Sequence, residues 1–106
     1  MGSTKFKKTS EGYGFWCEGC KLPHFIAVDI PNEVTNAQWD VSWNLGEPTA
    51  KPSILVTFPW GDPPVNNVCH SYITEGKIEY LTDCTHHLAG QTIELPNFKW
   101  SEENDI

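Results

Sequence analysis

The sequence predicts an all-β, or mainly β, domain: a small sheet or sandwich of short strands with a proline-rich loop. Two observations carry this. The apolar residues fall in short runs dominated by β-branched and aromatic side chains, and proline, glycine and asparagine separate the runs. No heptad, internal repeat or convincing helical stripe competes with that pattern.

The elements follow in chain order. Residues 1–12, MGSTKFKKTSEG, are polar and expected to form a flexible tail, as are residues 101–106, SEENDI. Residues 13–100 then make one domain of five to seven strands. The strand candidates are FIAVDI (25–30), QWDVSW (38–43), SILVTF (53–58), VCHSYIT (68–74), KIEYL (77–81) and QTIEL (91–95). Prolines are expected between strands, as in FPWGDPPVNN, because a central strand has little use for a residue without an N–H. THHLAG is the one candidate helical turn, closed by Gly90.

The clearest local unit is VCHSYITEGKIEYLTDC. Two strands face each other across Glu75-Gly76, where glycine suits the positive φ of a tight turn. A two-residue loop pairs Thr74 with Lys77, and by extension His70 with Leu81 and Cys69 with Thr82. Cys69 and Cys84 then share one face as diagonal neighbours, and His70 and Asp83 share the other.

That hairpin bears on GFWCEGCKLPHF (14–25), whose Cys17 and Cys20 have the bite of a metal-binding turn. With Cys69 and Cys84 brought together, a structural zinc ion held by Cys17, Cys20, Cys69 and Cys84 is the first expectation. A mixed site with His24 or His70 in place of one cysteine is the second, and four buried, unrelated thiols the third. A thioredoxin-like pair is disfavoured because no βαβ pattern surrounds it. A closed four-ligand site leaves no position for chemistry, so any catalysis has to come from elsewhere. His70 and His86 flank proposed ligands and so have rigid backbones, which suits either a base or a residue supporting the metal. His24 and His87 read as ordinary polar residues. Ser42, Ser53 and Ser71 lie in or beside strands, with no G-x-S-x-G elbow among them.

Charge narrows the partners. Seven lysines, fourteen carboxylates and no arginine give a net charge of −7, a poor surface for phosphates. The expected partner or substrate is a protein rather than a nucleic acid. No apolar run approaches the ~18 residues of a membrane span, and the lysine-bearing start lacks a signal-peptide core, so a cytoplasmic protein is expected.

At CEGCKLPH, PTAKPSI (48–54), CHSYITEGKIEYL (69–81) and DCTHHLAGQTIELP (83–96), the chain resembles a family of small phage and prophage domains of unknown function. That family is often labelled ammonia monooxygenase, a label for which this sequence offers no copper or iron ligand set. It is related to the serine peptidase of bacterial ubiquitination-like (Bub) operons. The resemblance spans about residues 14–98; His87 and the longer proline loop depart from the family pattern. It implies a Ser-His hydrolase acting on the C-terminus of a ubiquitin-like protein or on its conjugates, in the bacterial host cytoplasm if phage-encoded. Ser53 falls in the Pro-Ser-Ile motif, His70 in Cys-His and His86 in Asp-Cys-Thr-His. Ser53 is thus the expected nucleophile, with His70 or His86 as base and Asp83 able to orient His70. Simple antiparallel pairing of 53–58 with 68–74 would set Ser53 opposite Ile73, so the expectation includes a crossover after Pro59. The alternative is a non-catalytic zinc-binding module that engages a host or defence protein.

Overall fold

The computed structural model describes residues 5–34, 36–61 and 63–98. Among them there is no helix, and eight strands form two antiparallel sheets, so the all-β class holds. The first sheet is β1 (Lys7–Lys8), β2 (Gly12–Cys17) and β3 (Leu22–Ala27), in that order. The second runs β4 (Asp40–Asn44), β5 (Glu47–Trp60), β6 (Val65–Thr74), β7 (Lys77–Tyr80) and β8 (Thr92–Glu94), also in chain order. No helix of the described residues is long and apolar enough to cross a membrane.

The two sheets share one core. Phe15 and Ile26 of the first sheet cluster with Ile54, Ile73 and Ile78 of the second, all at most 2% exposed. Alternation does the sorting: on β6, Cys69, Ser71 and Ile73 are buried while Tyr72 and Thr74 are exposed. The predicted hairpin register is present, with Thr74 opposite Lys77 and Ser71 opposite Tyr80. Its loop holds Glu75 at φ 47° and Gly76 at φ 79°, two consecutive left-handed residues as a type I′ turn requires.

Three expectations need correction. Residues 1–4 and 101–106 lie outside the described residues, but residues 5–12 pack rather than fray. Phe6 is 6% exposed, 5.5 Å from the Tyr13 ring and 6.0 Å from Phe15, and Lys5 bonds Glu47, Glu94 and the Gly76 carbonyl. One phenylalanine in a polar stretch was too little periodicity to signal a strand. Prolines also enter strands: Pro48, Pro52 and Pro59 all lie in β5. Pro52, whose peptide bond from Lys51 is cis, sits where the β5–β6 register shifts, so no ladder bond is lost there. The THHLAG segment forms turns, not a helix, with Gly90 at φ 80° and its N–H on the Tyr80 carbonyl.

Replacing Phe6 with alanine should lower unfolding free energy by about 3–5 kcal/mol, the cost of deleting a buried aromatic ring. Urea denaturation checks this; an unchanged midpoint would mean that the segment before β2 does not pack.

Candidate active site and metal centre

β5 and β6 form a plain hairpin with no crossover, from Trp60 opposite Val65 to Ile54 opposite Ser71. Beyond that the register shifts: Ala50 pairs with Ile73, so Lys51, Pro52 and Ser53 together oppose Tyr72 alone. Extending the Ile54–Ser71 register by one step sets Ser53 level with Tyr72, diagonal to His70, which pairs with Leu55. The expected alignment with Ile73 was one residue out, and the crossover is not needed. Diagonal neighbours on one sheet face are within reach when one side chain is long. His70 Nε2 is accordingly 3.0 Å from Ser53 Oγ.

The other ring nitrogen is also engaged. His70 Nδ1 lies 3.0 Å from Asp83 Oδ2, so the imidazole bridges a hydroxyl and a carboxylate. With Asp83 accepting, the proton sits on Nδ1 and the Nε2 lone pair points at Ser53 Oγ. Two further contacts steady the ends of this line. Trp39 Nε1 donates to the Ser53 carbonyl at 3.2 Å, and Leu81 N–H donates to the His70 carbonyl at 2.9 Å. The site is open: a cleft of about 530 Å³ borders Ser53, with Lys51, Pro52, Tyr72 and Thr74 among its lining. The other two candidate serines, Ser42 and Ser71, have no comparable geometry. Ser71 is 1% exposed on the core face with its hydroxyl unpartnered, and Ser42 is paired with Thr49 on β4, at the opposite side of β5 from His70.

The thiols gather on the far side of the same strand. Ligand atoms of Cys17, Cys20, Cys69 and His86 all lie within 4.8 Å of one another. Cys17 closes β2, Cys20 follows in the turn, Cys69 is the core-facing neighbour of His70 on β6, and His86 comes from the loop after β7. Cys17 Sγ is 3.6 Å from Cys69 Sγ, directly between the sheets. The expected fourth ligand, Cys84, is not in this group. β7 ends at Tyr80 and the chain turns, with Cys84 N–H on the Leu81 carbonyl, so Cys84 never occupies the strand position that its spacing implied. His86 takes the place instead, and it is with the thiols rather than at Ser53 that the second candidate base is found. His24, buried beside Phe15 with its own Nε2 unpartnered, acts on the Cys17 thiol but is not in the four-residue group, and neither is His87.

The donor set fits a metal ion. One buried atom asks for a partner: His86 Nε2 has no hydrogen bond, and for it to ligate, the ring proton has to sit on Nδ1, which here accepts the Leu88 N–H. Gly19 is required by the ring above it, since a Cβ there would come within 2.3 Å of His86. That small residue between the two cysteines was the one sequence signal for an approaching side chain. Hydrogen bonds from Cys20 and then Cys69 hold the Cys17 thiol far below its ordinary range, so Cys17 carries the first thiolate. Sharing with Cys17 pushes Cys20 up to about 12 and Cys69 higher still. Burial lowers the His86 imidazole, keeping it neutral and able to ligate. Burial, then the Cys17 charge, pushes up Tyr80, whose hydroxyl is 3.4 Å from Cys17 Sγ.

The pH dependence of metal binding follows. These directions make Cys17 the most readily ionised of the three thiols and leave Cys20 and Cys69 with the protons that a metal has to displace. Two protons released per ion make the affinity fall as pH drops, by about a hundredfold per unit. Competition with a chromophoric chelator between about pH 6 and 8 measures the slope; less than tenfold per unit would contradict this protonation pattern.

No curated protein and no solved structure matches the chain. A protein family does, over residues 2–81, which carry Ser53, His70 and three members of the metal group. Its description is bacterial ubiquitination-like system serine protease (BubE). The match covers most of the chain and includes the strand pair that sets serine beside histidine, and we conclude that this protein belongs to the BubE family.

Proposed function

We propose that the protein is a serine hydrolase in which Ser53 is the nucleophile, His70 the general base and acid, and Asp83 the group that orients His70. The line from Ser53 Oγ through His70 to Asp83, with both contacts at 3.0 Å, carries this reading. Ser53 Oγ attacks the carbonyl carbon of the scissile bond while its proton moves to His70 Nε2. The imidazolium, stabilised by Asp83, returns that proton to the leaving amine or alcohol, and the acyl group stays on Ser53 Oγ. Water, deprotonated by His70, then attacks the ester and frees Ser53.

The metal group has no part in these transfers. Three thiolates and an imidazole suit zinc, which we assign a structural role through Cys17, Cys20, Cys69 and His86. As a closed site it would bind the first sheet, β6 and the loop carrying Asp83 into one unit.

The family description supports a protein substrate from a ubiquitination-like system, and we assign the scissile bond to the C-terminus of a ubiquitin-like protein or to its conjugates. The open face around Ser53 suits a protein's extended tail better than a small molecule, because the cleft is a shelf on a sheet rather than an enclosed cavity. The non-catalytic binding module expected as the alternative has no observation of similar weight behind it.

A fluorophosphonate probe tests the chemistry without a known substrate. One label per chain on Ser53 is expected, absent in Ser53→Ala and reduced about 100-fold or more in His70→Ala. Asp83→Asn should slow labelling by about 10- to 1000-fold through the wrong tautomer. A chain that is folded and metal-loaded yet unlabelled would remove the hydrolase reading.

A further inference from the structure

Cys84 is the one cysteine outside the metal group, and its surroundings are specific. It is 8% exposed and makes two contacts with the backbone of a single residue, His70. Its Sγ accepts the His70 N–H at 3.2 Å, and its S–H donates to the His70 carbonyl at 3.2 Å. The preceding residue, Asp83, holds the His70 ring. Two consecutive residues therefore grip the same histidine, one by its side chain and one by its backbone.

We propose that Cys84 is a positioning residue: its thiol fixes the loop after β7 to the His70 backbone and so sets the distance between Asp83 and the His70 ring. The inference rests on the serine hydrolase reading for its kinetic consequence, but its structural claim concerns only the His70–Asp83 pair. β7 stops at Tyr80, and past it the loop meets the β6 backbone through the Leu81 N–H on the His70 carbonyl and then through Thr85, whose N–H and hydroxyl bond Val68, with Asp83 between these two anchors. Asp83 is 56% exposed at its side chain. The thiol adds an anchor at the residue next to Asp83. A sulfur suits the role because it donates and accepts at once in a buried position, whereas alanine would leave the His70 N–H without this acceptor.

The test compares Cys84→Ala and Cys84→Ser with the parent chain, each with zinc supplied. Alanine removes both contacts; serine keeps a donor and an acceptor. Three readouts are taken: zinc content, the 15N shifts of the His70 ring that report which nitrogen carries the proton, and the rate of fluorophosphonate labelling. Zinc content should equal the parent's in both variants. The alanine variant should lose the single Nδ1-protonated form of His70 and label about 10- to 100-fold more slowly, the size of effect a small misplacement brings. The serine variant should recover the tautomer and label within about threefold of the parent, a rescue that a cavity effect alone would not give. If Cys84→Ala will not fold, Cys84→Val fills the space without hydrogen bonds and takes its place. Loss of zinc in a Cys84 variant would make Cys84 a ligand and overturn the proposal, as would an unchanged tautomer and rate in the alanine variant. A parent chain that does not label, but whose His70 tautomer responds to alanine and serine as stated, would support the positioning role while removing the hydrolase reading.

Discussion

The register of β5 against β6 is the constraint from which the rest follows. From Trp60–Val65 to Ile54–Ser71 it sends Ile54, Cys69 and Ser71 into the core and leaves Ser53, Leu55, His70 and Tyr72 on the open face. A slip of one residue would exchange the two faces entirely. It would put Cys69 in water, away from Cys17, and bury His70 away from Ser53. The apolar side chains alone resist such a slip, since each buried isoleucine contributes about 1.5–3 kcal/mol over its exposed state. Hydrophobic burial thus sets the geometry of both polar sites.

The two sites are the two faces of the same short segments. Cys69 and His70 are consecutive on β6, and Asp83 and His86 are three residues apart in one loop. One residue of each pair faces the thiol group between the sheets, and the other belongs to the Ser53–His70–Asp83 line on the opposite side of β6. A domain of this size buries only a modest core, and the loop from Leu81 to Gln91 has turns rather than strand or helix. Ligation is the kind of crosslink that makes such a loop rigid, because the free energy of binding the ion is part of the free energy of folding. Such a crosslink would lie on the face of β6 away from Ser53 and His70.

Much of the fold was legible in the sequence because it is locally encoded. β6 and β7 announce themselves by β-branched runs around Glu75-Gly76, and their register follows from loop length alone. The expected nearness of His70 and Asp83 rested on the ladder continuing past Tyr80; the contact is present, but it is made from the loop after β7. What could not be read depends on where regular structure stops. Extrapolating the ladder past Tyr80 carried Cys84 to a ligand position, but the chain leaves the sheet there and delivers His86 instead. The alignment of Ser53 depended on where β5 ends and β6 begins, at Trp60 and Val65, which the dense prolines around them obscured. β1 and β2 escaped notice because β1 is only Lys7-Lys8 and β2 opens on Gly-Tyr-Gly, which leaves Phe15, Trp16 and Cys17 too short a run to signal a strand.

The most direct measurement of the central claim, that the β5–β6 register delivers serine and histidine to one site and thiols to another, is a high-resolution crystal structure of the zinc-loaded protein. The account predicts Ser53 Oγ within about 3 Å of His70 Nε2, with zinc bound by Cys17, Cys20, Cys69 and His86 on the opposite side of β6. Ser53 Oγ more than about 6 Å from every imidazole nitrogen, or zinc bound by Cys84 in place of His86, would contradict it.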